Sequence, residues 1–539
     1  MNSPTNVSSV GSYPLGSWNT GWRMEEQKMS IDHDMLIYNA LDSSVMMACQ
    51  DAIWGELEDN DYTETYNLSH RVLPALLYMS CRGILVNKDR LNVERERVTE
   101  LIKEKQIELD EEVGHPLNPN SPKACQAYFY AELGIKPYTK QSKDRYGRRK
   151  QSITTDDKAM ARLARGTASR KPIRSAKLVQ ELRGLVKLSG TYLEVEFDPD
   201  GRLRCSVNPR GTRFGRLSTS ETIFGTGTNM QNLPESFKGF LTADPGCFLY
   251  ELDKAGAEWV VVAYLSGDAG MIDVCETGGD PHAQTAHLMY GVPESIIMEE
   301  SKLIGHITDV DEIAKVRTQY EHIFDTSQWI RNMSLRQAGK KANHGLNYDE
   351  GFRTFALMNE IQDGEAKTLI NLYHEARPGV RTYHSNIQSK LRHDRTLNNC
   401  FGRKYKFLDA WGTDLFKAAY SFTPQSTVVD LVNNSMALTY ADTDEHMEHS
   451  EILMQVHDST LNQRHPENGE INYTNWAKAI IAQAENMNPT LSYGGRDFQI
   501  RTDLKIGKDW GHMIEVKITD NVEEMAGRLE EATLGFAEL

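Results

Sequence analysis

The stretch Arg331 to Tyr348, RNMSLRQAGKKANHGLNY, constrains this chain more than any other. Arg336, Lys340, His344 and Tyr348 stand four residues apart, and positions i and i+4 share one face of an α-helix. A helix there presents two cations, an imidazole and a phenol along one stripe. Two cations one turn apart suit a polyphosphate, and two rings beyond them suit a base. The same spacing also suits the solvated basic face of a surface helix, so the neighbours of this helix decide its meaning.

The charge distribution supplies the first neighbour. The 539-residue chain has a formal net charge of -16, which taken whole speaks against a nucleic-acid binder. Between Lys136 and Lys187, however, 16 Lys and Arg stand against 4 Asp and Glu. A basic module inside an acidic protein is the electrostatic footprint expected for a phosphate backbone. A disordered basic linker is the plainer reading of KQSKDRYGRRKQS, residues 140–152. The length suggests three or four domains' worth of chain. There is no run of about 20 apolar residues to cross a membrane, and MNSPTNVSSVGSYPLGS does not read as a secretory signal. Seven cysteines, odd in number and never in CxxC spacing, argue against a disulfide framework or a zinc site and for a reducing compartment.

In order, residues 1 to about 30 read as a loosely ordered leader, followed by an amphipathic helix carrying Tyr38 and Asp42 one turn apart. Tyr66 to Leu91 reads as a buried helix, a stop at Gly83, a short strand and a new helix. Ser121 and Pro122 open another helix by capping and first-turn preference. Residues 86–192 form a basic, all-helical arm fit to lie along a duplex. VEFDPDGRLRCSV reads as a hairpin around a Pro-Asp-Gly turn, followed by a polar loop with Arg213, Arg216, Gln231 and Asn232. CFLYELDKAGAEWVVVAYLSGD changes from strand to helix period, with Asp253 at the junction. Alone, Asp253 suits a helix cap as well as a metal ligand. LFKAAYSFTPQSTVVDLVNNSMALTYA is a long helix pattern that Pro424 interrupts. EILMQVHDSTLNQ is a hairpin with His457 and Asp458 at its tip. A last strand and an acidic tail from Asp520 close the chain.

Five segments in this order resemble the DNA polymerases of family A, the group of the bacterial repair polymerase and many phage replicases. FGRLSTS with TNMQNLP resembles the loop before the first catalytic strand. ELDKAGAEWVVVAYLSGD resembles motif A, RQAGKKANHGLNYDEG motif B, PQSTVVD the next helix, and QVHDS motif C. The resemblance covers about residues 34 to 512. It implies an α+β, right-hand fold with an antiparallel palm sheet, a helical thumb and helical fingers. The implied boundaries are a leader at 1–30, a remnant of a 3′-5′ exonuclease domain at 31–65, and palm at 66–85, 193–270 and 411–519. Thumb would take 86–192 and fingers 271–410, with an insertion near 293–328, before an acidic tail at 520–539.

The resemblance also implies roles. Asp253 and Asp458 would hold two Mg2+ ions, which Mn2+ could replace, with the Leu252 carbonyl as a further ligand left open. Arg336, Lys340 and His282 would bind the triphosphate of an incoming dNTP, and Lys340 would be the acid for the leaving pyrophosphate. Tyr348 and His344 would lie by the base, and Glu258 would block a ribose 2′-OH. Arg216, Gln425, His457, Gln231 and Asn232 would contact primer-template DNA. An exposed loop for His282, a structural turn for His457 and an exposed helix for Glu258 are the plainer readings.

Four departures matter. His344 stands where Phe or Tyr is usual, and Ser459 stands where motif C ordinarily ends in Glu. Extra residues separate His282 from Arg336. Of the exonuclease motifs only Tyr38 and Asp42, in YNALD, have counterparts. Polymerisation without intrinsic proofreading is therefore expected. A separate exonuclease or processivity subunit, a phage-type role and a bacterial (host) cytoplasmic location are the companion expectations. A non-catalytic DNA-binding subunit and an RNA-synthesising relative are the alternatives.

Overall fold

The structure, a computed structural model, describes residues 33–143, 149–166, 170–307, 310–320 and 333–536. The leader at 1–30, the tip of the basic loop, the end of the insertion with Arg331, and the last three residues lie outside these.

Helix α1 (His33–Asp59) leads into α2 (Thr63–Arg82). On α1, Leu36, Val45, Met46 and Met47 are exposed, whereas α2 buries Leu68, Val72, Leu76 and Met79. Gly83 ends α2 at φ 64°, where a Cβ would lie 2.9 Å from the Leu203 carbonyl oxygen. Glycine is thus required for the turn into β1 (Ile84–Val86). Helix α3 (Lys88–Val113) follows, its N-terminus capped by the Asn87 side chain. It shares a core with the helices Asp157–Arg165 and α4 (Arg174–Lys187) through Leu109, Met160, Leu163, Val179 and Leu182.

This basic arm is not all helical. Thr139–Lys143 and Arg149–Ile153 pair as an antiparallel hairpin where a loop was expected. Its strands are polar, so no hydrophobic alternation announces them. Mutual backbone pairing and a Gln151–Thr139 side-chain bond of 2.7 Å hold them. The Pro-Asp-Gly hairpin is also corrected. The turn forms, with Gly201 at φ 79°, but its second arm, β2 (Arg202–Leu203), pairs with β1 instead of with residues 193–197. β3 (Leu241–Thr242) takes the other edge of β1.

The main sheet begins with β4 (Phe248–Lys254), which runs into α5 (Ala257–Ser266). The helices α6 (Pro281–Tyr290) and α7 (Leu335–Leu346) pack directly on each other further along. Between them lie Glu294–Ile304 and Val310–Gln319, the described part of the insertion and helical as expected. α8 (Thr413–Ala441) runs through Pro424 without the expected interruption. Proline removes the amide that would reach the Tyr420 carbonyl. That carbonyl instead accepts the Tyr383 hydroxyl at 2.7 Å, which satisfies it.

β5 (Ser450–Val456) and β6 (Ser459–Arg464) form the expected hairpin, followed by α9 (Tyr473–Met487), β7 (Thr502–Gly507) and β8 (Met513–Val516). The supposed acidic tail is α10 (Val522–Leu534), packed on α9 through the fully buried Met525 and Leu529. The four-residue spacing of Met525 and Leu529 gives the helix an apolar stripe that its acidic composition hides.

The sheet is antiparallel in the order β5-β6-β4-β7-β8. Side chains alternate across β4. Phe248, Tyr250 and Leu252 enter the core made with α5, α8, α9 and α10, whereas Leu249 packs on the opposite side with β1, β2 and β3 residues. Glu251 and Asp253 share that opposite side. Helices and antiparallel sheets thus segregate as the α+β class expected from the sequence.

Candidate active site

Asp253 is the next-to-last residue of β4, opposite Ser459 of β6 and Asp503 of β7. Asp458 occupies the two-residue turn between β5 and β6, where His457 takes φ 56°. The Asp458 carbonyl accepts the Lys254 amide at 3.2 Å, which ties the turn to the end of β4. Pairing of the strands thereby brings two distant carboxylates together. Both are half-buried, and both titrate above the usual carboxylate range. For Asp253 the causes are burial, then the charges of Asp458 and Glu251; for Asp458 they are burial and Glu258, opposed by Arg216 and Lys340. Adjacent acids with this disfavoured charge are hard oxygen donors that suit Mg2+ or Mn2+.

Helix α7 supplies the cations. Its N-terminus is capped by Ser334, and Leu335, Ala338, Gly339, Ala342, Asn343 and Leu346 form its buried face. Lys340 and His344 are exposed on the other face, and Arg336 is half-buried. A Cβ on Gly339 would lie 2.1 Å from the His282 carbonyl oxygen, so only glycine permits this approach of α6. Gly339→Ala should cost roughly 1–3 kcal/mol by overpacking. The expected result is a lower melting temperature in a thermal melt.

Asp280 organises the start of α6. One oxygen accepts the amides of His282 (2.9 Å) and Ala283 (2.7 Å), and the other takes the Arg336 guanidinium at 2.8 Å. Asn343 donates to the Pro281 carbonyl at 3.0 Å and accepts the Thr285 hydroxyl at 2.9 Å, which fixes its amide orientation. Its NH2 group therefore faces His282 Nδ1, 3.1 Å away, and leaves the ring proton on Nε2. Burial holds the His282 value down at about 4, and the nearby charges of Arg336 and Lys340 add to this against Asp280. His282 is thus a neutral N–H donor beside two cations.

Helix α7 ends at Leu346, so Tyr348 is not on the stripe that the spacing predicts. Asn347 turns the chain away: its carbonyl accepts His384 at 2.7 Å, and its side chain accepts the Tyr373 hydroxyl at 2.8 Å. Tyr348 still meets His344, ring centroids 6.2 Å apart, and its hydroxyl donates to Glu258 at 2.5 Å. The other Glu258 oxygen accepts Arg216.

Arg216 and Gln425 are half-buried, and Asn232 and His457 are exposed. Gln231 is buried instead, its amide donating to the backbone and side chain of Gln455 at 3.3 and 3.2 Å. Gln455 in turn donates to the His457 carbonyl at 2.7 Å, so Gln231 braces the turn from beneath. Tyr38 and Asp42 lie on exposed α1 and interact with each other, which raises the tyrosine's value.

Sequence reasoning missed Asp280 and Asn343. Asp280 was findable as the acidic residue before a helix-opening proline. Asn343 was findable only as a polar residue interrupting the buried face.

The model of DNA polymerase family A matches residues 88–305 and 302–512. The thermostable DNA polymerase I of Thermus aquaticus is 26% identical over 476 residues, 85% of this chain and 50% of that protein. DNA polymerase I of Treponema pallidum is 25% identical, covering 72% of this chain and 35% of that protein. This chain thus spans half or less of these two relatives. Among solved structures, the POL domain of Pol1 from M. smegmatis, in complex with DNA primer-template and dNTP, aligns with a TM-score of 0.67 at 22% identity. That alignment covers 86% of this chain and 73% of the other, and shows the right-hand polymerase fold. No helix of the described residues is long and apolar enough to cross a membrane. With its model matched over most of the length, this chain belongs to DNA polymerase family A.

Proposed function

We propose that this chain is a DNA-directed DNA polymerase that adds deoxynucleotides to a primer 3′ end. The observation that carries the reading is that Asp458, whose charge is felt by Asp253, is itself within the electrostatic reach of Lys340, which with Arg336 also acts on His282. Asp253 and Asp458 would hold two Mg2+ ions, which when bound would supply stabilisation of the attacking and leaving oxygens. Arg336 and Lys340 bind the triphosphate, with the neutral His282 Nε2–H as a further donor. Lys340 protonates the departing pyrophosphate. Arg216, Gln425, His457 and Asn232 contact the primer-template, and Arg216 also bonds Glu258. The basic arm at 86–192 serves as thumb and the α6–α7 region as fingers, around the palm sheet.

Glu258, fixed between Tyr348 and Arg216, excludes a ribose 2′-OH. Glu258→Ala should lower the preference for dNTP over rNTP, measured as a ratio of kcat/KM, by about 10- to 200-fold. An unchanged ratio removes that role. Polymerisation proceeds without mismatch removal by this chain alone. The deciding assay is extension of a primed template with Mg2+, using deoxy- and ribonucleotides and a 3′-mismatched primer. Absence of extension by the wild type favours a non-catalytic DNA-binding subunit, and equal use of ribonucleotides favours an RNA-synthesising enzyme.

A further inference from the structure

Ser459 leaves motif C without its usual glutamate, and its surroundings show what stands in that place. The Ser459 hydroxyl donates to Glu251 Oε1 at 3.0 Å. In the ladder, Ser459 is opposite Asp253, whereas Glu251 is opposite Leu461, two pairs further from the turn. The Glu251 side chain must therefore lean along the sheet toward the turn to meet Ser459. Glu251 and Asp253 lie on the same face of β4 because side chains two apart in a strand do so. The Trp510 indole N–H also donates to Glu251 Oε1, at 3.4 Å. Together these contacts hold the carboxylate on the side of the sheet that carries Asp253.

We propose that Glu251 supplies the third carboxylate of the metal-holding face, carried on the first catalytic strand in place of residue 459 on the second. The inference rests on the reading of Asp253 and Asp458 as metal ligands. Serine is what such an exchange requires. A glutamate at 459 would bring a second long carboxylate onto Glu251, at a repulsive distance. Serine is short enough to leave the space open and is a donor that orients the displaced acid. Lys505, opposite Glu251 on β7, offsets part of the added negative charge. Glu251, Asp253 and Asp458 do not converge on a single point: among the described residues the one trio whose ligand atoms fall within 4.8 Å is Asp442, Asp444 and His446. A pair of ions about 3.5–4 Å apart spans a wider donor set than one ion can.

The test is direct Mn2+ binding to the full chain without DNA or nucleotide, read from the loss of the free-ion electron paramagnetic resonance signal. Glu251→Gln keeps the shape and the hydrogen-bond acceptor but removes the charge. We expect its Mn2+ dissociation constant to rise at least fivefold, with Ser459→Ala giving a smaller rise of about twofold. The double variant Glu251→Ala with Ser459→Glu should regain the wild-type constant, which also covers the case where Glu251→Gln fails to fold. Fe2+-dependent backbone cleavage localises the site, with cuts expected near residues 253 and 458 that fade in Glu251→Gln. Unchanged Mn2+ binding and cleavage in Glu251→Gln, or no recovery in the double variant, overturns the proposal. If Asp458→Ala also binds Mn2+ like the wild type, it is the metal assignment beneath the proposal that fails.

Discussion

Asp458→Ala should lower primer extension at least about 10³-fold, a loss of roughly 4 kcal/mol of stabilisation at the reacting oxygens. Asp253→Asn should do the same, since each carboxylate is half of one paired arrangement. The same changes should act in the opposite direction on stability. Asp253 titrates above its ordinary value because burial and the neighbouring acids disfavour its charge. Such a group holds its proton more tightly when folded, so its favourable contribution is complete at low pH and is lost as pH rises through the folded value. In EDTA, Asp253→Asn should therefore melt higher than the wild type at pH 8. The gap should narrow as the pH falls, and close near pH 4. Thermal melts across that range check it. A melting temperature below that of the wild type at pH 8 would refute the electrostatic account, whatever happens to extension.

Lys340→Ala should reduce kcat by about 10²- to 10⁴-fold, the range typical for losing a general acid. Lys340→Arg separates charge from proton transfer. Arginine keeps the cation and so should preserve most of the nucleotide affinity, but it does not release a proton in the accessible range. The expected outcome is a near-normal KM with a kcat close to that of the alanine variant, measured by single-nucleotide incorporation under rapid quench. Full kcat in Lys340→Arg would reduce the residue to an electrostatic clamp.

The positions of the two carboxylates were legible from local signals in the sequence, while their pairing followed only from the family resemblance. The strand-to-helix change of period located Asp253, and a polar two-residue tip between apolar runs located Asp458. The helix carrying Arg336 and Lys340 was legible from its four-residue spacing. What escaped depended on partners distant in sequence. Pro424 reads as a breaker until Tyr383 is seen to occupy the carbonyl it frees. Tyr348 reads as a fourth stripe residue until His384 and Tyr373 turn the chain at Asn347. Gln231 reads as an exposed loop amide until Gln455 is found above it. Residues 139–153 carry no apolar alternation, so their pairing had no hydrophobic signature. In α10 the acidic composition outweighed a stripe of only a few apolar residues. Glu251 is the most instructive case. In the sequence it is one more strand glutamate, and only the register opposite Leu461 and the bond to Ser459 give it a direction.

The position of β4 at the middle of the sheet also sets a schedule for synthesis. β4 ends at residue 254, yet its two neighbours start at residues 459 and 502. At roughly 5–20 residues per second, a strand with apolar residues on both faces waits on the order of ten seconds or more for its edges to be covered. Pairings this distant are entropically slow to close. Until β7 has left the ribosome, the nascent chain exposes an unpaired strand edge and is open to aggregation. Truncations ending before residue 502 should therefore be recovered as insoluble protein or bound to chaperones, and not as weakly active enzyme.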